Sequence, residues 1–244
     1  MTGSSGADES LYVEPERPEH QLAWPALRFN DVFKIFRSGP VETVALRGLN
    51  LRVERRELLA VLGPSGCGKS TMLALAAALD RPSAGEVRVG GRSLGLLDEA
   101  ALAEYRAQEI AIVLQRDNLW PALTAHENVV VSLRLSGRQH PGAAASEVLA
   151  AFGLANRARH RSGLLSGGEQ QRVSIAAAAA RRAPLVLADE PTGELDAASE
   201  RVVLGALCEL RDTFGSTVVA VTHSERVARA ADRVIEMRDG RALT

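Results

Sequence analysis

The residues best suited to chemistry in this chain form one short string. It is Gly63-Pro64-Ser65-Gly66-Cys67-Gly68-Lys69-Ser70, with Thr71 directly after it. It follows an apolar run, Leu58–Leu62, and precedes helix-forming residues that start at Met72. A glycine-rich loop between a strand and a helix lets backbone amides turn inward and hold phosphate oxygens. In such a loop the lysine binds the β- and γ-phosphates and the following hydroxyl binds Mg²⁺. The string therefore predicts a site for a nucleoside triphosphate.

One residue of that loop, Cys67, has two interpretations. If its thiol is accessible, alkylation would add bulk to the loop and block the phosphates. If its sulfur is turned into the protein, Cys67 is an inert small hydrophobe. The sequence leaves both open.

Two acids close a second apolar run. The run is Leu185–Ala188, and Asp189 and Glu190 follow it. Acids at the carboxyl end of a parallel strand face the crevice in which nucleotides bind. There Asp189 would hold the Mg²⁺ hydration shell, and Glu190 would orient and deprotonate the attacking water. The alternative is that the two acids only cap a helix, but Lys69 and Ser70 in the same chain favour the catalytic interpretation.

A second potential anion site lies in the string from Leu165 to Arg172, which reads LSGGEQQR. A serine hydroxyl, two glycines and a helix start combine donors with a helix dipole. Here these are Ser166, Gly167 and Gly168, with Glu169 next in the helix. The alternative is an ordinary capped helix, in which Ser166 is the cap.

The elements that position these residues are of two kinds. Continuous apolar runs at 58–62, 110–114, 185–188 and 217–221 indicate strands buried on both faces, which is typical of parallel sheets. Alternating segments at 27–29, 49–53 and 86–89 indicate antiparallel strands with one exposed face. The predicted fold is α/β: a phosphate-loop core with an antiparallel β subdomain and an inserted helical subdomain at about 116–180. Residues 1–25 are predicted to be a disordered tail and 26–244 one domain.

Composition excludes several classes of protein. The formal net charge of -1 argues against a nucleic-acid binder that works by bulk charge. Two cysteines do not make a disulfide framework, which fits a reducing cytoplasm. No signal peptide is evident, and no apolar run reaches the roughly 18 to 20 residues that span a bilayer. A role at a membrane would therefore need a partner.

Together these motifs resemble the ATP-binding cassette (ABC) ATPases, from about Leu27 to Leu243. The resemblance implies ATP and Mg²⁺ as ligands, ATP hydrolysis to ADP and phosphate, and a head-to-tail homodimer. In such a dimer the signature Ser166–Glu169 of one chain covers the γ-phosphate held by the other.

The same resemblance implies further site residues. Gln115 matches the glutamine that contacts Mg²⁺ and senses the membrane partner, and His223 matches the switch histidine at the γ-phosphate. Asp196 matches an aspartate at the dimer interface. Phe36 matches the aromatic residue that stacks on adenine, with Phe33 as a nearby competitor.

Three segments narrow the resemblance to one bacterial group of ABC ATPases: 79–82, 118–129 and 188–193. That group contains lipoprotein-releasing, macrolide- and peptide-exporting and cell-division members. It implies a separate permease chain as partner, a place at the cytoplasmic face of the inner membrane, and export, extraction or mechanotransmission as the task. Trp120 is predicted either to contact that permease or to pack within the helical insertion.

Two alternatives to a transporter subunit stay open. One is a cell-division-type regulator of cell-wall hydrolases, and the other is a soluble ABC ATPase without a transport role. A single cassette without a heptad run weighs against the soluble alternative. The chain also departs from the family pattern: Arg56, Leu114, Glu194 and Ala177 stand where a glycine, a phenylalanine, an Asn or Ser, and an arginine are usual.

Overall fold

The computed structural model describes residues 24–39 and 41–243, without the side chain of Ser38. The predicted tail therefore lies outside the described residues, apart from its last two. Of these, Trp24 packs its ring against Gly91, where an added Cβ would lie 2.6 Å from the Trp24 Cγ atom. The Arg88 guanidinium lies over the same ring, 5.3 Å from its centroid. The packed part of the chain thus already includes Trp24.

In this part of the chain the strands and helices follow one another in the order of the sequence. The strands are β1 (Leu27–Ser38), β2 (Val41–Val53), β3 (Leu58–Leu62), β4 (Ala84–Val89), β5 (Arg92–Ser93), β6 (Ile110–Val113), β7 (Leu185–Asp189), β8 (Thr217–Val221), β9 (Arg233–Arg238) and β10 (Arg241–Leu243). The α-helices are α1 (Lys69–Ala76), α2 (Glu99–Gln108), α3 (Ala125–Leu135), α4 (Pro141–Ala151), α5 (Gly167–Arg181), α6 (Ala197–Asp212) and α7 (Glu225–Ala230).

A six-stranded sheet with the order β10-β9-β3-β8-β7-β6 forms the centre of the core. All neighbours in it are parallel except β10, which pairs antiparallel with β9. Successive residues of one strand face opposite sides: Leu58 belongs to the apolar cluster on one side and Leu59 to the cluster on the other. Burial on both sides explains why these strands read as continuous apolar runs, and the predicted parallel core is confirmed.

A second, antiparallel sheet with the order β2-β1-β4-β5 lies beside the core. Leu27 of β1 pairs with Val53 of β2 on one side and with Val89 of β4 on the other. Alternating burial along β2 matches the alternation in its sequence, because one face packs on the core and the other is exposed. The predicted antiparallel strands are therefore confirmed.

The helices α3, α4 and α5 lie between β6 and β7 and share one apolar cluster, which includes Val129, Leu149 and Ile175. Two of them begin with a reciprocal capping box: Thr124 with Glu127 at α3, and Ser166 with Glu169 at α5. This cluster is the one that also covers one side of the central sheet, so the helical block shares the core of the domain, and α5 contacts the sheet at β6.

Candidate active site

The parallel strands bring the predicted chemical residues to one edge of the central sheet. The phosphate loop follows β3, Gln115 follows β6, Asp189 ends β7 and His223 follows β8. Because carboxyl ends of parallel strands meet at the same edge, these residues surround one open cleft of about 840 Å³. Its lining includes Thr43, Val44, Ala45, Ser65, Gly66, Gly68, Lys69, Ser70, Thr71, Gln115, Asp189, Glu190, Glu194 and His223.

The phosphate loop needs glycine at two positions. Gly63 has φ 152°, and a Cβ there would overlap the carbonyl oxygen of Met237. Gly68 has φ 105°, and its Cβ would lie 2.5 Å from the carbonyl oxygen of Ala45. Only glycine combines these conformations with such close neighbours, so the loop can lie against both β2 and β9. Helix α1 begins at Lys69, immediately after Gly68.

The Lys69 side chain lies inside the loop that precedes it. Its Nζ donates to the carbonyl oxygens of Gly63, at 2.6 Å, and Pro64, at 2.9 Å. The residue is only 7% exposed. The loop therefore holds a buried positive charge at the N-terminus of α1, where the helix dipole also favours an anion.

The Cys67 side chain is turned into the protein. It is 5% exposed, and a Cβ at Gly63 would lie 2.8 Å from its Sγ atom. Its backbone carbonyl accepts a hydrogen bond from the Gly240 amide at 3.0 Å. The structure thus places Cys67 as a buried support of the loop, in keeping with the inert interpretation.

Glu190 and His223 face each other across the ends of β7 and β8. Nε2 of His223 lies 3.2 Å from Oε1 of Glu190, and the His223 backbone amide donates to Oε2 at 3.2 Å. Oε1 is buried and accepts no well-aligned hydrogen bond from the described residues, so the first contact is a close approach rather than a formed hydrogen bond. Glu190 also has φ 46°, a region that non-glycine residues seldom occupy. Backbone strain of this kind persists where the surrounding structure fixes a functional group.

Gln115 lines the cleft, and Glu194 holds its side chain. In the sequence Glu194 stood out only as a residue that departs from the family pattern. Nε2 of Gln115 donates to Oε1 of Glu194 at 3.3 Å, and Arg116 forms an ion pair with the same carboxylate. This ion pair raises the pKa of the Arg116 guanidinium. The sequence did not show the Arg116–Glu194 pair, because the two residues are 78 positions apart and meet only in the fold.

The signature residues lie apart from the nucleotide cleft. Ser166, Gly168 and Glu169 do not line it, and Gly167 borders a neighbouring cavity of about 260 Å³. Ser166 caps α5: its Oγ accepts from the Glu169 amide at 3.3 Å, and the Glu169 carboxylate accepts from the Ser166 amide at 2.9 Å. Hydrogen bonds from the Arg157 side chain and from the Ser166 backbone amide lower the pKa of Glu169. Ser166 is thus a helix cap in this chain, and any contact with a nucleotide would be in addition to that role.

Two further predicted residues have local partners. Asp196 caps α6 by accepting from the amides of Ala198, at 2.9 Å, and Ser199, at 3.0 Å, and these bonds lower its pKa. Phe36 is 44% exposed and pairs in the sheet with Thr43, which lines the cleft. Its competitor Phe33 packs toward Gly48 instead. Phe36 is therefore the phenylalanine whose ring is exposed beside the cleft.

Comparison with known proteins gives the family. The family profile described as "ABC transporter" matches residues 46–193, which run from β2 to the residues just after β7. The chain belongs to the ABC transporter family. The match includes the phosphate loop, Gln115, the signature and both acids.

Individual relatives of the ABC family agree with this assignment. The chain is 43% identical to the lipoprotein-releasing system ATP-binding protein LolD of Geobacter metallireducens, over 89% of this chain and 97% of that protein. It is 44% identical to the macrolide export ATP-binding/permease protein MacB of Burkholderia lata, over 88% of this chain. The aligned part is 32% of that MacB, so the chain spans about one third of the length of the MacB relatives.

Among solved structures, the ATP-binding cassette MJ0796 superimposes with a TM-score of 0.81 at 38% identity, over 89% of this chain and 97% of that one. That structure is a dimeric, post-hydrolysis state bound to ADP and Pi. The predicted ABC fold, with its α/β core, antiparallel sheet and helical block, is thereby confirmed. Within residues 24–39 and 41–243, the structure has no helix long and apolar enough to cross a membrane.

Proposed function

We propose that this chain is the ATP-hydrolysing subunit of a membrane ABC complex and drives a separate permease chain. The observation that carries the proposal is the meeting of Lys69, Glu190 and His223 around one cleft. A buried ammonium for phosphate and a carboxylate beside a histidine are what phosphoryl transfer to water requires.

The roles follow from the positions of the side chains. Lys69 and the loop amides bind the phosphates, with Ser65, Gly66 and Thr71 along the same wall. Glu190 accepts the proton of the water that attacks the γ-phosphorus, and the bond to the leaving ADP oxygen breaks to give ADP and phosphate. His223 steadies the Glu190 carboxylate and contacts the γ-phosphate. Phe36 stacks on adenine.

The residues around the cleft fit a magnesium ion. Ser70, Asp189 and Gln115 offer a hydroxyl, a carboxylate and an amide oxygen, the hard oxygen donors that Mg²⁺ takes together with phosphate oxygens and water. When bound, the ion neutralises phosphate charge. The Gln115 amide oxygen would be the ligand, while its Nε2 donates to Glu194.

The place of the signature supports a head-to-tail homodimer. Ser166 and Gly167 are exposed at the start of α5, and neither Ser166 nor Glu169 lines the nucleotide cleft of its own chain. A second copy would therefore be needed to bring Ser166, Gly167 and Gly168 to a bound γ-phosphate. Asp196, which caps α6 in the segment after the acids, is assigned to the same interface.

The partner and the location are proposed from relatives and from an exposed apolar surface. LolD and MacB are, by name, the ATP-binding protein of a lipoprotein-releasing system and an export ATP-binding/permease protein. Trp120 and Leu135 are 52% and 69% exposed and border a cavity of about 160 Å³ next to the loop of Gln115. We assign this surface to a permease segment at the cytoplasmic face of the membrane.

The test compares wild type with Lys69→Met and, as a control for lost positive charge, Arg229→Met on α7. Binding of a fluorescent ATP analogue and phosphate release with Mg²⁺ are measured for each. Wild type and Arg229→Met should bind and turn over ATP, and Lys69→Met should lose both. Equal turnover in wild type and Lys69→Met would refute the proposed site.

A further inference from the structure

Gln171 on α5 is a buried residue whose contacts the ATPase mechanism does not use. It is 4% exposed, and its Nε2 donates to two successive carbonyl oxygens, those of Leu114 and Gln115, at 2.8 Å each. Its Oε1 accepts from Nδ2 of Asn118 at 3.2 Å. A single side chain thus uses both ends of its amide on the loop that follows β6.

The segment that Gln171 contacts is a closed turn, because Asn118 makes two hydrogen bonds back to Leu114. The Leu114 amide donates to Oδ1 of Asn118 at 2.7 Å, and Asn118 Nδ2 donates back to the Leu114 carbonyl at 2.6 Å. This pair closes a turn over residues 114–118, and Gln171 makes hydrogen bonds to three residues of that turn, Leu114, Gln115 and Asn118. A movement of Gln115 would therefore move the turn and, through these hydrogen bonds, the Gln171 side chain.

The same helix carries the signature at its start. Ser166 is the N-cap of α5, five residues before Gln171. At about 1.5 Å of rise per residue, this places the two roughly 7.5 Å apart along the helix axis. A helical segment of that length moves as a rigid element, and Gln170 adds to it by donating from its side chain to the Leu165 carbonyl at 3.0 Å.

We infer that Gln171 is a positioning residue that couples Gln115, in the nucleotide cleft, to Ser166, at the start of α5. Binding of ATP at the cleft displaces Gln115, and the paired hydrogen bonds to Gln171 transmit that displacement to α5. The inference rests on the proposed function, because it needs ATP to bind at Lys69. It adds a connection within one chain between the part that binds ATP and the part that meets the second copy.

The physical reason lies in the burial of the Gln171 side chain. Gln171 is 4% exposed, so water does not replace its partners, and moving the turn without moving the helix would leave its buried side-chain amide unpaired. The turn and the helix therefore shift together. Methionine has the shape of glutamine without its donors, and it removes this constraint while it keeps the volume.

The experiment measures hydrogen–deuterium exchange of the peptide over residues 166–175 in dilute chain, confirmed as a monomer by light scattering, with and without MgATP. Coupling between sites typically amounts to about 5- to 150-fold in an equilibrium constant. In wild type we expect ATP to change exchange in this peptide at least about fivefold. In Gln171→Met we expect no such change, although the fluorescent ATP analogue still binds.

Ser216→Ala is the matched control. Ser216 is 1% exposed and donates to the Ala183 carbonyl at 2.8 Å, at the end of β8 remote from the cleft. Like Gln171→Met, the Ser216→Ala variant removes a hydrogen-bond donor from a buried side chain, but we expect it to keep the response to ATP. In the assembled dimer Gln171→Met should also lower kcat, by up to about 10²-fold, with little change in KM.

The outcomes separate cleanly. A response to ATP that persists in Gln171→Met, or one that is absent from wild type while ATP binds, overturns the inference. The second result needs no variant, so the test holds even if Gln171→Met does not fold. Failure of wild type to bind the ATP analogue would instead overturn the proposed function.

Discussion

Nε2 of His223 lies 3.2 Å from Oε1 of Glu190, while the backbone amide of the same histidine donates to Oε2. One residue thus contacts both oxygens of the carboxylate, once by its ring and once by its backbone. The Glu190 amide in turn donates to the Val221 carbonyl at 2.9 Å. Glu190 is therefore held by one hydrogen bond to Val221 of β8 and, just after β8, by one hydrogen bond and one close approach to His223, so its orientation depends on the segment that carries His223.

The first prediction concerns Glu190, the proposed general base. Glu190→Gln removes the proton acceptor but keeps the size and the hydrogen bond from the His223 amide. We expect phosphate release to fall by about 10²- to 10⁴-fold, the usual contribution of a general base, while MgATP still binds and holds the dimer closed. Phosphate release and size-exclusion chromatography with ATP measure the two effects. Hydrolysis within twofold of wild type would contradict the assigned role.

The second prediction follows from the Glu190–His223 contact. His223→Ala should lower turnover alone, and the double variant with Glu190→Gln should cost far less than the product of the two single losses. When two residues act as a unit, the second substitution adds little to the loss that the first has already caused. A double-mutant cycle on kcat measures the coupling. Losses that multiply would show that the two side chains act independently.

The third prediction separates the cap role of Ser166 from its role toward a second copy. Ser166→Arg should abolish hydrolysis, because its bulk lies where the dimer must close, and leave the ATP affinity of the dilute monomer intact. Loss of the cap alone should cost about 1 kcal/mol of stability.

Thr124→Ala is the control for this experiment, since Thr124 and Glu127 form the same capping box at α3. It should lose a similar amount of stability in a thermal melt and retain hydrolysis. If Ser166→Arg no longer binds ATP as a monomer, the head-to-tail arrangement is wrong.

The fourth prediction concerns Trp120. Asn128 holds the backbone of Trp120, accepting from its amide at 2.8 Å and donating to its carbonyl at 3.2 Å, while the indole is 52% exposed. Trp120→Ala should therefore change the thermal midpoint little but lower ATPase stimulation by a reconstituted permease. Parallel loss of stability and of basal turnover would favour the alternative, that Trp120 only packs the helical insertion.

Some of these features could be predicted from the sequence because they depend on neighbours in the chain. The phosphate loop, the acids after β7 and the cap at Ser166 each combine residue types within a few positions. Continuous and alternating apolar runs likewise predicted which strands are parallel and which antiparallel, since burial on one or two faces sets the pattern.

Other features were decided only by the tertiary structure, because they join residues far apart in the chain. Glu194 accepts a hydrogen bond from the Gln115 side chain 79 positions away, and Gln171 donates one to the Gln115 carbonyl 56 positions away. The sequence gives the types of these residues but not the directions of their side chains. The directions of these side chains are set by how α5 packs on the sheet. That packing brings Gln171 next to the segments that follow β6 and β7.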